Sequence, residues 1–189
     1  MVFTRDLRVR DNPALAAAAR ADHVIPLFVF DDALLDALHG GANRLRFLIE
    51  SLADLRASLG REGAPLIIRR GNWVNEVATI AAASGADAVH LSDDVSAFAG
   101  TRVETLSAFG AQRGFRVETH PGVTVVPPGE LLTGARTTYQ VFTPFYRRWL
   151  SAPGGLRCAR PRRSRCRPGS SPASSRRWRC SRTQHHRPT

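Results

Sequence analysis

Apolar positions in this chain follow two alternating rhythms. The runs at 24–30, 66–68, 88–91, 115–118 and 123–126 are short and rich in aliphatic or β-branched residues, and all but Phe-Arg-Val-Glu at 115–118 lack regular polar alternation. That is the pattern of parallel strands covered on both faces. Between them, residues 13–21, 44–59, 74–83 and 97–113 repeat at helical spacing. Leu45, Leu48, Leu52, Leu55 and Leu59 recur every three or four residues and form one apolar stripe. Stop and start signals agree with this partition. Asn12-Pro13 sets a cap before a proline at the first helical position, Asn43 and Ser96 are further caps, and Thr143-Pro144 repeats the device. Gly60, Gly85 and Gly114 mark helix exits. Strand and helix in alternation predict an α/β fold: a doubly wound parallel five-stranded sheet with helices on both faces and right-handed crossovers.

The rhythm stops at about residue 153, and composition changes with it. Residues 1–150 hold 16 arginines against 16 acidic residues, whereas 151–189 hold 11 arginines, no acidic residue and all three cysteines. The net charge of +11 therefore belongs to the tail. With little apolar surface to offset the entropy of ordering, residues 151–189 are expected to be a disordered basic tail behind a single domain at 1–150. Its composition of Arg, Ser, Pro and Cys is also what GC-rich DNA yields when read out of frame. No run of ~18 apolar residues offers a membrane span, and no secretory signal opens the chain. The cysteine-free first 150 residues suit a cytoplasmic protein, and a monomer is expected.

The chemistry-bearing residues exclude several classes. No phosphate-binding glycine loop of either common type occurs. Cys158, Cys166, Cys180 and His185 lack the short C-x₂₋₄-C pair with which one loop clamps zinc. His23, His39, His90 and His120 are scattered without metal spacing, so no metal site is expected. Trp73, Trp149 and Tyr139 read as packing residues. The arginine pairs Arg162-Arg163 and Arg176-Arg177 could contact phosphates through counterion release.

Five segments in order carry a family resemblance. Phe3-Thr-Arg-Asp-Leu-Arg-Val-Arg-Asp-Asn-Pro-Ala-Leu15 resembles the opening signature of the DNA photolyase/cryptochrome family, and Pro26-Leu-Phe-Val-Phe-Asp31 its second strand. Asn43-Arg-Leu-Arg-Phe-Leu48 is similar to its first long helix. Val125-Val-Pro-Pro-Gly-Glu-Leu131 and Val141-Phe-Thr-Pro-Phe-Tyr-Arg-Arg-Trp149 resemble the end of its N-terminal domain. The resemblance implies a Rossmann-like antenna-binding domain holding a folate or a deazaflavin, while a separate helical domain binds FAD and repairs pyrimidine dimers in DNA. Nothing after Trp149 resembles that second domain, so neither FAD nor specific DNA binding is expected of this chain. Family members carry a longer first strand, central in the sheet, of which Met1-Val2-Phe3 remain; a marginally stable domain is the consequence expected.

By the same resemblance, Val29, Phe30, Asp31, Arg44 and Asp94 match positions around the antenna. Arg5 follows the first strand at the carboxyl edge, where doubly wound folds bind ligands. An aliphatic wall suits a flat heteroaromatic ring, and arginine suits a carboxylate or phosphate tail. Arg5, Asp6, Arg8 and Asp11 can equally form an internal ion-pair network, Asp31 and Asp32 can cap the next turn, and Asp93-Asp94 can favour the helix that follows. Folate-binding members carry a glutamate where this chain has Phe98-Ala99-Gly100, which favours 8-hydroxy-5-deazaflavin over methenyltetrahydrofolate. The function implied is thus a photolyase-type antenna domain without a catalytic centre of its own. The alternatives are part of an intact light-driven photolyase, separated from it by a frame break, and a small Rossmann-like nucleotide-binding module.

Overall fold

The computed structural model describes residues 1–37, 41–127 and 129–152. The expected basic tail lies outside the described residues beyond Ala152. Five parallel strands form one sheet in the order β3-β2-β1-β4-β5: β1 (Val2–Phe3), β2 (Leu27–Asp31), β3 (Ile67–Gly71), β4 (Ala88–Ser92) and β5 (Arg116–His120). The helices are α1 (Pro13–Ala18), α2 (Asp32–Ala37), α3 (Ala42–Arg61), α4 (Trp73–Ser84), α5 (Ala97–Arg113) and α6 (Phe142–Ser151).

Side chains alternate across the sheet and build two cores. Val2, Leu27, Val29, Val89 and Leu91 face α4 and α5, meeting Trp73, Val77, Ala78 and Leu106. Met1, Phe3 and Phe28 face the other way, onto Leu15 of α1 and Leu52, Leu55 and Leu59 of α3. The chain winds out along one face from β1 to β3, then returns to β4 along the other. That reversal places a switch point between β1 and β4, which pair through Val2 and Leu91.

The strand count agrees with the pattern but the membership differs. Met1-Val2-Phe3 supplies the central strand, as short as expected, with Val2 and Phe3 almost wholly buried. Residues 123–126 are not a strand: Val123 and Val125 are exposed and only Val126 is buried. The chain turns away first at Gly122, where φ is 141° and the carbonyl accepts a 3.0 Å bond from Arg8 Nη2. A β-branched run forms a strand only where the path of the chain lays it alongside a sheet edge, and after Gly122 this chain leaves the edge of β5.

Caps hold at Asn12, whose Oδ1 accepts from Leu15 N–H at 2.9 Å, and at Ser96, whose Oγ accepts from Ala99 N–H at 3.3 Å. Gly85 and Gly114 end α4 and α5 in the left-handed conformation. Asn43 lies inside α3, which starts from Gly41 without a side-chain cap, and Thr143 lies inside α6. Gly60 is still helical; α3 runs one residue further, with Glu62 as its cap. Only the C-terminal half of the leucine stripe is buried. Leu52, Leu55 and Leu59 pack on the sheet, whereas Leu45 is exposed beside Phe47 and Ile49. Among the described residues no helix is long and apolar enough to cross a membrane.

Candidate functional site

At the switch point the carboxyl ends of β1 and β4 diverge, and a cavity of about 350 Å³ opens between them under the first turns of α5. Small-molecule sites span ~300–1,000 Å³, so this cavity lies at the small end of that range. Val29, Trp73 and Leu91 form its apolar floor, and Phe98 and Arg102 of α5 its wall. Its polar rim is Arg5, from the loop after β1, and Asp94, from the loop after β4.

The rim is one ion pair. Arg5 Nε lies 2.8 Å from Asp94 Oδ2, while Asp94 Oδ1 accepts the Ser96 N–H at 2.9 Å. This second bond is an Asx-type turn that also sets Ser96 as the cap of α5. Asp94 is 13% exposed and Arg5 65%, so the carboxylate is fixed and the guanidinium can swing to another anion. Beside this pair, Asp6 contacts Arg8 at 3.2 Å, and burial pushes its carboxyl up against the opposing pull of Arg8.

The wall depends on a residue that the sequence pattern did not mark. Arg102 ion-pairs with Asp31 at the end of β2, and its guanidinium lies 4.2 Å from the Phe98 ring centroid and 5.0 Å from that of Trp73. Burial lowers its pKa, and the carboxylate and two π faces replace the water it loses. The only sequence signal was Phe98 and Arg102 four apart on one helix, next to an aromatic that opens another.

The expected site residues divide accordingly. Arg5, Val29 and Asp94 line the cavity, and Asp31 reaches it through Arg102. Phe30 is one residue out of phase with Val29 and packs on the opposite core, edge-on to Phe28 at 5.2 Å. Arg44 is exposed on the first turn of α3, outside the lining. The histidines also rearrange. His90 and His120 are distant in sequence but meet across β4 and β5, with Nδ1 and Nε2 2.9 Å apart. Linear spacing cannot register such a cross-strand pair.

The family model for DNA photolyase matches residues 1–163. The chain belongs to the DNA photolyase family. It is 43% identical over 152 residues to a deoxyribodipyrimidine photo-lyase of Streptomyces griseus, a match covering 79% of this chain and 33% of that protein. It is 34% identical to a cryptochrome DASH of Natronomonas pharaonis, covering 76% and 31% respectively. The crystal structure of a class III photolyase from Agrobacterium tumefaciens superposes with a TM-score of 0.75 at 26% identity, covering 93% of this chain and 36% of that one. An archaeal photolyase from Sulfolobus tokodaii, described with two FAD molecules and a novel light-harvesting cofactor, gives 0.63 at 25% identity, covering 77% and 33%. This photolyase-family chain thus spans about a third of the length of these relatives.

Proposed function

We propose that this domain binds a light-harvesting chromophore in the switch-point cavity, as the antenna unit of a photolyase or cryptochrome. The observation that carries the reading is the convergence of Arg5 and Asp94 over an apolar floor of Val29, Trp73 and Leu91. Such a site holds a planar heteroaromatic ring on its apolar side and leaves a swinging arginine for a carboxylate or phosphate tail. When bound, the chromophore supplies absorption; the protein's part is to hold the ring still and dry. Val29 and Trp73 exclude water, Arg102 stiffens the wall, and Asp94 keeps Arg5 at the rim.

On this reading 8-hydroxy-5-deazaflavin is the favoured occupant over methenyltetrahydrofolate, because Phe98-Ala99-Gly100 offers apolar surface and no carboxylate. On the same reading, the flavin-dependent splitting of pyrimidine dimers in DNA is the work of a separate domain, in the length of the relatives that this chain does not match. A second occupant has support from the Sulfolobus tokodaii relative with its two FAD molecules: a flavin in the same cavity.

The test is titration of the full chain with 8-hydroxy-5-deazaflavin, methenyltetrahydrofolate and FAD in parallel, followed by chromophore absorption and quenching of tryptophan fluorescence. Saturable binding of the deazaflavin is expected. Arg5→Ala should weaken it about tenfold, the loss of one charge-assisted contact. If none of the three binds, or if Val29→Trp leaves binding intact, the cavity is not an antenna site.

A further inference from the structure

We propose that His90, Glu118 and His120 form a binding site for a divalent transition-metal ion, zinc or a metal of similar ligand preference, with His90 Nδ1, His120 Nε2 and Glu118 Oε2 as ligands. The site follows from strand register. In the β4–β5 ladder His90 stands opposite Glu118, and Ser92 opposite His120. Because side chains alternate, His90, Glu118 and His120 share one face of the sheet. Their neighbours Val89, Leu91 and Val117 point to the other face, into the core under α4 and α5. The cluster therefore lies across the sheet from the Thr119 side that lines the chromophore cavity, and owes nothing to it.

One donor atom from each of the three residues lies within 4.8 Å of the others. His90 Nδ1 is 2.9 Å from His120 Nε2 and 3.5 Å from Glu118 Oε2. A tetrahedral zinc with bonds near 2.0–2.1 Å spaces its nitrogen ligands about 3.3 Å apart, so the imidazoles need to open by only a few tenths of an ångström. The rings are stacked at 29° with centroids 5.2 Å apart, and the two nitrogens already face each other. Without a metal this geometry is satisfied only by one shared proton. With a metal, both lone pairs are used.

The surroundings choose the class of ion. Arg116 Nε stands 3.7 Å from Glu118 Oε1, which orients the carboxylate and leaves Oε2 free to coordinate. Arg116 and, near His120, Arg20 add positive charge. That charge opposes any dication, and hard cations such as Mg²⁺ and Ca²⁺, which need several oxygen ligands, find only one carboxylate to offset it; a metal with strong imidazole affinity has two histidines that do. Two histidines and one carboxylate leave a fourth position open, and Glu118, 41% exposed, leaves that side accessible to solvent.

The test is titration of the full chain with ZnCl₂ by calorimetry and thermal melting, and with CoCl₂ by absorption spectroscopy. One saturable site that raises Tm is expected, with cobalt d–d bands and no thiolate charge-transfer band. His120→Gln and Glu118→Gln, each checked for an unchanged circular dichroism spectrum, should weaken binding at least tenfold. The triple variant C158S/C166S/C180S should bind as the parent does. If one of these ligand variants does not fold, His90→Gln replaces it. Binding lost in the cysteine variant, binding indifferent to the ligand variants, or the absence of saturable binding would each overturn the assignment.

Discussion

The Arg102 guanidinium ties the start of α5 to the end of β2 through Asp31, and both side chains are largely buried, 16% and 8% exposed. Asp31 Oδ1 also accepts the Ala33 N–H at 3.1 Å, so the same carboxylate shapes the entry to α2. Removing one partner leaves the other charge buried without compensation, typically ~3–5 kcal/mol. Arg102→Ala should destabilise the fold by about that amount in urea denaturation. Arg102→Lys should recover little, because an ammonium cannot lie flat between Phe98 and Trp73 while reaching Asp31. A loss below about 1 kcal/mol for Arg102→Ala would show the pair to be solvated.

How far this was legible from sequence depends on the range of the interaction concerned. Helix signals are local, so Asn12-Pro13, Ser96, Gly85 and Gly114 were each readable where they stand. Strand membership is not local. Residues 123–126 have the β-branched composition of a strand, yet β5 pairs with β4 and among the described residues no further strand adds to it, while two residues at the chain start suffice for the centre of the sheet. Of the site, Arg5 could be placed because it follows a strand end at a predictable edge, and Val29 and Asp94 through the family resemblance; all three line the cavity. Phe30 carried the same label but the opposite side of the pleat. Arg102 and the His90–His120 pair depend on how a helix and two strands register in space, which no spacing rule encodes.

Asn12 does more than cap α1. Its Oδ1 accepts from Leu15 N–H, and its Nδ2 donates to the Arg8 carbonyl at 3.1 Å, so it clips the charged loop after β1 to the helix. The side chain is 2% exposed, and water cannot substitute for either bond. Asn12→Ala should cost about 2 kcal/mol, the upper end for a cap. Asn12→Asp keeps the acceptor but loses the donor to Arg8, and should fall between the two. Equal melting of N12A and N12D would assign the whole effect to the Arg8 bond.

Gly110 is a helical glycine that ought not to be improved. Elsewhere in a helix interior, Gly→Ala gains up to ~1 kcal/mol. Here a methyl would run into the Phe115 carbonyl oxygen and press on the Phe115 ring, because α5 turns straight into β5 at this point. That oxygen is backbone and cannot swing aside. Gly110→Ala should therefore destabilise by about 1–3 kcal/mol, as overpacking does. Gly100, with open space around it on the same helix, is the control: Gly100→Ala should be neutral or stabilising. The two substitutions shifting Tm in the same direction would contradict the close approach.

The Met1 amine sits within the sheet, donating to the Ile25 carbonyl at 3.1 Å, and burial pushes its pKa down from 8.0 to about 6. The folded state thus binds fewer protons than the unfolded state between these values. Its full stability is present above pH 8 and is lost as pH falls towards 6. Two pKa units correspond to about 2.7 kcal/mol, an upper figure for this one group. His90 and His120, also lowered by burial, add a loss of the same sign below their ordinary 6.5. The contributions separate by chemistry: acetylating the Met1 amine abolishes the dependence between pH 8 and 7 and leaves the histidine part. If the amine stayed neutral in the folded state at every pH, the gap between the urea midpoints of the free and acetylated chains would go on widening below pH 6. The expected result is a gap between them that widens as pH falls from 8 to 6 and is constant below it.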